Sequence, residues 1–501
     1  MASSLVSQAI AGNNQAMGTR PKIAIVGAGS FSHGKRLIDD LLTVEAFAEG
    51  DLVLMGNNIP RLEIVGAYAK NAAGLLRPDV GVIITDKLGL AIDGADIVIT
   101  IFNVGGYEAF DRDYAIARGY GLDVCIGDTA GPLGAFRALR NGTVMLGIAE
   151  DMKKACPGAL LINYVNPMAP MVSIASSSGI SCLGICGGIE STNDYVAEVL
   201  GLPRSELRTV FAGVNHLCWL LDMAGPGGDL YPRFRELMKD PESRGDEAVR
   251  FEILQQFGYF ASESSGHISD FFPYFRRNAE LRDRYCSGSG YSGASGAYHR
   301  LLSFIQKRIG NADYLEGQPP ASIRSSDYAP AIVEAWISNG NCKIYGNVMN
   351  SNGTGRPALP GLPSSACVEV SVEIKGREII IPPGPKLPPT LAALCTPLAL
   401  QHSLVSRAFL EQNPEMVFAA IAQDQLTSAI LDLPEIRALT YSLFAANTEW
   451  LPQGLRGSPR PTVDAGIRPS RPSRFRGSPE LDLIRNYERR QKNSGYTRNR
   501  D

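Results

Sequence analysis

Cys186 and His216 each follow a short apolar run, Cys182–Ile185 and Thr209–Val214. If both runs are strands of one sheet, a thiol and an imidazole reach the same edge; together they suit a transition metal, although soft sulfur is not what manganese prefers. An inert buried cysteine and a hydrogen-bonded histidine explain the same pattern. Glu263, His267 and Asp270 form a polar group after a helical segment and offer a general base or substrate contacts, and a capped helix start explains them nearly as well. Asp128, in Gly127-Asp-Thr-Ala-Gly-Pro-Leu-Gly134, is an acid in a glycine-rich turn that feeds a helix, open to a site role or to an N-cap role. Asn166 and Asn215 end predicted strands; Pro167 forces Asn166 into an extended conformation at the carboxyl edge.

A sheet must gather these side chains, and its start is legible in Lys22–Gly34, KIAIVGAGSFSHG. The run Ile23–Val26 reads as a strand buried on both faces. The glycines after it let the backbone approach a pyrophosphate held at the next helix N-terminus, so Gly27, Gly29, Ser30 and Phe31 are the expected cofactor contacts. Ser32 stands where the third glycine of the dinucleotide fingerprint belongs. Apolar runs Leu52–Met55, Val82–Thr85 and Ile97–Ile101 follow at strand-helix-strand spacing, which predicts an α/β fold with a Rossmann-type doubly wound sheet. The second strand runs into Gly56, Asn57 and Asn58 instead of the acid that binds the adenosine ribose. Asn57 is therefore the expected ribose contact, and a phosphorylated ribose stays open.

At 501 residues the chain exceeds one core. The expected division is a disordered leader at 1–20, a dinucleotide-binding domain at 21–215, a mainly helical α+β substrate and oligomerisation domain at 216–453, and a disordered tail at 454–501. The second domain contains a predicted hairpin, Val368–Glu373 with Arg377–Ile381, and amphipathic helices over Leu391–Leu410, Glu415–Leu431 and Glu435–Ala446. The tail has roughly twelve basic against five acidic side chains and too few large apolar residues for a core. The net charge of -3 gives no hint of a nucleic-acid partner. No apolar run reaches the roughly 18 residues of a membrane span. Nine scattered cysteines point to reduced thiols in a cytoplasmic setting.

From Lys22 to about Pro452 the chain resembles glycoside hydrolase family 4, the NAD- and divalent-metal-dependent glycosidases. The carrying motifs are IVGAGS, VGGYEA at Val104–Ala109, GDTAGPLGAFRALR at Gly127–Arg140, VNPM at Val165–Met168, GIC at Gly184–Cys186 and AGVNHLCW at Ala212–Trp219. Phe257–Arg277 looks like the branch of α-galacturonidases and, less closely, α-galactosidases.

The resemblance implies a lactate/malate dehydrogenase-like architecture and a redox route distinct from two-carboxylate hydrolysis. NAD+ takes a hydride from sugar C3, the ketone acidifies the C2 proton, and a base removes it. The aglycone leaves, water adds and the hydride returns. A divalent metal, manganese first, held by Cys186 and His216, acts as the Lewis acid. By the same resemblance Asn166 contacts sugar hydroxyls, with Asn103, Asp128 and Asn215 as further substrate contacts. Asp270 is the expected base ahead of Tyr274, because a carboxylate is already ionised near neutral pH.

The chain departs from the family pattern at four places. Gly187 follows the metal cysteine where His or Asp is usual, Asn103 replaces Arg or Gln, Phe271 replaces Tyr, and the ribose carboxylate is missing. Glycine donates no proton, so expulsion of the leaving group is expected to rely on a low-pKa aglycone, on a water or on a side chain from elsewhere such as His267. The expected protein is a cytoplasmic homodimer or homotetramer that cleaves an α-linked uronide or hexoside, with no nucleic-acid or membrane partner. A sugar dehydrogenase, a catalytically weakened sugar or dinucleotide binder, and a glycosidase without a redox step stay open.

Overall fold

Strand β1 (Lys22–Val26) sends Ile23 and Ile25 into one apolar cluster and Ala24 and Val26 into another, which is why the run carries no polar alternation. The structure, a computed structural model, describes residues 20–288, 290–309, 315, 318–351 and 355–456, with the side chains of 31, 32, 308 and 309 excepted. The expected leader and tail lie outside the described residues except at Arg20 and 454–456, where Leu455 is buried.

β1 is followed by β2 (Gly50–Met55), β3 (Val80–Thr85), β4 (Ile97–Thr100), β5 (Leu160–Asn163) and β6 (Ser181–Gly184). These six pair in parallel in the order β3-β2-β1-β4-β5-β6, the doubly wound Rossmann order, with helices on both faces. In such a sheet the carboxyl ends of the strands form the ligand edge.

The sheet does not stop at β6. β7 (Arg208–Val214), β8 (Leu217–Gly225), β9 (Gly228–Asp229), β10 (Phe260–Ala261), β11 (Asn341–Met349), β12 (Cys367–Lys375) and β13 (Glu378–Ile380) extend it, in the path β6-β11-β12-β7-β8-β10 with every pairing antiparallel. The expected hairpin about Lys375-Gly376 is β12–β13. Neither β8 nor β11 is expected from the sequence. Lys343, Gly346 and Asn347 interrupt the apolar pattern of β11, and its two neighbours, β12 through Glu369 and β6 through Gly184, account for the fully buried Asn347.

The single helix expected over Glu415–Leu431 is two, Pro414–Ala422 and Gln425–Ser428. Asp424 restarts the chain by accepting from Thr427 N and Oγ1 at 2.8 and 2.6 Å, an N-cap that breaks the first helix. Among the described residues no helix is long and apolar enough to cross a membrane.

Candidate metal and sugar site

β6 runs on to Cys186 and β7 to His216, and a row of backbone partners joins those strands: Gly184 with Asn347, Asn347 with Glu369, Glu369 with Gly213. His216 occupies the two-residue turn between β7 and β8, closed by the Val214–Leu217 pair, in the left-handed region at φ +64. Glu263 follows β10, which is held against Leu220 and Trp219 of β8, and is likewise left-handed at φ +67. Non-glycine residues rarely adopt this region and stay there only where the surroundings enforce it.

His216 has a fixed tautomer. Thr129 Oγ1 donates to Asp128 Oδ1 at 2.7 Å and lies 2.6 Å from His216 Nδ1. Burial works against ionised Asp128, but the cations around it, His267 first, outweigh it and hold the carboxyl well below the usual carboxylate range, while burial lowers the pKa of His216 and favours its neutral ring. An ionised carboxylate only accepts, so the threonine proton goes to Asp128 and His216 Nδ1 must be the N–H that donates to Thr129. Nε2 then carries the bare lone pair a metal needs, the orientation that outer-shell hydrogen bonds give ligating histidines.

That Nε2 lies 3.9 Å from Glu263 Oε1, and Cys186 Sγ lies 3.4 Å from the same oxygen. Ligand atoms of Cys186, His216 and Glu263 all fall within 4.8 Å of one another, as do those of Asp128, His216 and His267. Burial, then the charges of Glu263 and Glu369, push the Cys186 thiol well above its ordinary value. A thiol so surrounded by negative charge becomes a thiolate when a cation replaces its proton, and the donor set therefore fits a divalent metal.

Asn166 donates from Nδ2 to Asp128 Oδ2 at 3.0 Å, and its Oδ1 is buried without a partner. The amide of Asn215, which faces Glu369, and Nε2 of His267, which faces Asp128, likewise lack a partner at hydrogen-bond distance. Unpartnered buried polar atoms are rare, and here they converge beside a metal-type cluster where hydroxyl-rich ligands would complete them. His267 Nε2 stands 3.7 Å from Asp128 Oδ1 and its Nδ1 3.6 Å from Glu263 Oε2. Burial disfavours the imidazolium, but the two carboxylates prevail and raise its pKa.

The two residues expected as base are differently engaged. Asp270 lines the same cavity as Asp128 and His267, where it accepts from the backbone N–H groups of Cys125, Ile126 and Gly127 at 2.8, 2.8 and 3.1 Å and faces Arg276 at 3.4 Å. Its carboxylate anchors the loop that carries Asp128 and Thr129, a supporting task beside the expected one. Tyr274 is 45% exposed with its ring against Phe272 and Phe275, outside the cluster. The helix start near His267 is capped by Ser264, and Asp128 caps nothing, since the helix Gly131–Ala155 begins at Ala130 without a side-chain cap.

At the other end of the edge, Gly27 adopts φ +94, and a Cβ there would come within 2.6 Å of Phe102 N. Ser30 occupies the N-cap of the helix Phe31–Leu42 without a side-chain cap bond, which leaves that N-terminus to an anion, as a dinucleotide pyrophosphate requires. Gly29 lies beside Arg61, and the side chain of Phe31 is outside the described residues. Asn57 is exposed after β2, and half-buried Asn103 accepts from Gly106 N through its carbonyl.

The sequence carries no assigned role for Thr129, Asn347 or Glu369. Glu369 is 2% exposed and accepts from Asn347 Nδ2 at 3.2 Å; burial, then Glu263, push its pKa up to about 8. The available signal was an acid between buried Val368 and Val370 in a strand covered on both faces.

Sequence profiles match the chain as a family 4 glycosyl hydrolase over residues 22–202 and as the C-terminal domain of that family over 211–427. An α-galactosidase of Bacillus subtilis (strain 168) is 31% identical over 452 residues, 86% of this chain and 99% of the relative. An α-galacturonidase of Thermoanaerobacter italicus is 27% identical over 458 residues, 84% of this chain and 93% of the relative. Among solved structures, a 6-phospho-α-glucosidase from gut microorganisms in complex with NAD and Mn2+ superposes with a TM-score of 0.71 at 18% identity, covering 87% of this chain and 99% of that one. A 6-phospho-β-glucosidase of Thermotoga maritima with manganese, NAD+ and glucose-6-phosphate gives 0.69 at 17%, covering 86% and 99%.

Proposed function

Because this chain belongs to glycosyl hydrolase family 4, we propose that it cleaves an α-linked hexoside or uronide with the help of NAD+ and a divalent metal ion, manganese foremost. The observation that carries this reading is the bare Nε2 of His216 beside Cys186, ringed by the unpartnered polar atoms of Asn166, Asn215 and His267. When bound, NAD+ supplies reversible hydride uptake at the sugar and the metal supplies a Lewis acid.

The remaining roles belong to this chain. Gly27, Gly29 and Ser30 form the turn and helix start that receive the dinucleotide, with Asn57 at the ribose. Cys186 and His216 hold the metal; Asn166 and Asn215 accept and donate to sugar hydroxyls, and Asp128 fixes both Asn166 and the Thr129–His216 pair. Asn103 lines the approach after β4. His267 Nε2 holds the proton that the leaving group needs, in place of the side chain that Gly187 lacks, and its raised pKa favours the donor form. Free thiols at all nine cysteines support a cytoplasmic setting, and a homodimer or homotetramer is the assembly we assign to it.

The test is a panel of aryl α-galactosides and α-galacturonides assayed with NAD+, Mn2+ and a thiol reductant. Hydrolysis requiring both additions, with deuterium entering sugar C2 in heavy water, is the expected result. Retention of the C2 proton would move the chain to a non-redox glycosidase mechanism, and NADH accumulating in step with substrate would make it a sugar dehydrogenase.

A further inference from the structure

The geometry points to Glu263 as a third protein ligand of the metal, beside Cys186 and His216; we propose this as an inference that rests on the metal-dependent reading above. Ligands bonded to one ion at about 2.0–2.3 Å sit roughly 3–4 Å apart. Glu263 Oε1 lies 3.4 Å from Cys186 Sγ and 3.9 Å from His216 Nε2, the spacing of three atoms around one centre. The thiol donates to that oxygen, but the imidazole lone pair that faces it at 3.9 Å repels it unless a cation lies between them.

The surrounding structure holds Glu263 there in three ways. Its backbone is kept in the left-handed region, with N–H donating to Thr192 Oγ1 at 3.2 Å. Ser264, next in the chain, is tied down as the cap of the following helix through His267 N. Opposite, the carboxylate fills the space that glycine leaves at 188: a Cβ there would lie 1.6 Å from Oε1, so a side chain would displace the carboxylate. The helix Gly188–Leu200 therefore opens with a space that the carboxylate occupies, whereas a Cβ at Gly187 would meet nothing within 4 Å. The other carboxylate oxygen is 3.6 Å from His267 Nδ1, an ion-pair distance, which leaves Oε1 turned to Cys186 and His216.

The chemistry is consistent. One thiolate and one imidazole make a soft pair, and an added carboxylate oxygen shifts the preference toward harder ions such as Mn2+. Three protein ligands still leave positions open for oxygens of the sugar.

The test measures metal rather than turnover. Mn2+ binding to the NAD+-loaded protein is followed through the electron paramagnetic resonance signal of free Mn2+, for the wild type, Glu263→Gln and Cys186→Ser. Outer-shell changes typically cost 10–100-fold in affinity, so losing a ligand should weaken Mn2+ by at least about tenfold in Glu263→Gln, with NAD+ binding retained. Wild-type Mn2+ affinity in Glu263→Gln, with binding lost in Cys186→Ser, overturns the inference and leaves the proposed function standing. Wild-type affinity in both variants removes the Cys186–His216 centre as well. If Glu263→Gln does not fold, Glu263→Asp, whose oxygen is drawn back by one methylene, is measured instead: weakened Mn2+ supports the ligand and unchanged affinity overturns it.

Discussion

Thr129 Oγ1 stands between Asp128 Oδ1, at 2.7 Å, and His216 Nδ1, at 2.6 Å, so a single hydroxyl converts an ionised carboxylate into a fixed imidazole tautomer. Thr129→Val keeps the side-chain shape and removes the relay. We expect it to weaken Mn2+ binding by about 10–100-fold and to cost some thermal stability, because the buried His216 Nδ1–H loses its acceptor. Titration calorimetry decides, and unchanged affinity would show that His216 needs no such partner.

Cys186→Ser replaces a thiolate donor with a hydroxyl that stays protonated. The variant should lose bound metal and most turnover while NAD+ binding persists, because Cys186 follows β6 and the glycine turn belongs to β1. Full activity of this variant after exhaustive chelation would sink the assignment.

The adjacent glycines predict opposite outcomes. Gly187 has open space around its missing side chain, whereas Gly188 has the Glu263 carboxylate in it. General acid assistance is worth ~10²–10⁴-fold and matters most for basic leaving groups, so with His267 as the donor alkyl and aryl glycosides should differ little, and His267→Ala should open a gap in favour of aryl substrates. Gly187→His should narrow the gap opened by His267→Ala, and Gly188→Ala should depress metal binding. A wild type that already cleaves aryl glycosides far better than alkyl ones would remove His267 from the role of acid.

Asp270→Asn tests scaffold against chemistry. Its carboxylate receives three backbone N–H groups, and the amide leaves part of that set unmatched, a cost of about 2–4 kcal/mol. A lowered melting temperature with residual C2 exchange is expected. An undiminished melting temperature with exchange abolished would return Asp270 to the role of base.

His402 couples stability to pH. Its Nε2 donates to Thr129 O at 3.0 Å, and burial, against a smaller opposing effect of that bond, lowers its pKa to about 4. The folded state refuses a proton that the unfolded chain accepts below about 6.5, so the stabilisation present above that value is lost as pH falls toward about 4, on the order of 3 kcal/mol. Denaturant titrations across that window should show a steeper decline for the wild type than for His402→Gln. Parallel slopes would rule the coupling out.

Much of this was legible along the chain. Short apolar runs mark strands and where they stop, those of β1, β4 and β5 buried on both faces, so β1 to β7 and the placing of Cys186 and His216 at strand ends follow from local pattern. The glycine turn follows from backbone sterics alone, since only one residue type fits φ +94 against Phe102.

What pattern does not carry is partnership. The period of a strand fixes which face a residue occupies, but not which strand comes to lie beside it. β11 and β12 enter between β6 and β7 and bring buried Asn347 and Glu369 under the site, a row made of residues distant in sequence. A carboxylate likewise points to whatever donors the fold delivers. Asp270 met three backbone N–H groups and became a support, whereas Glu263, seven residues earlier, met a thiol and an imidazole, and that difference is set by tertiary contacts because electrostatic and hydrogen-bonding partners act through space rather than along the chain.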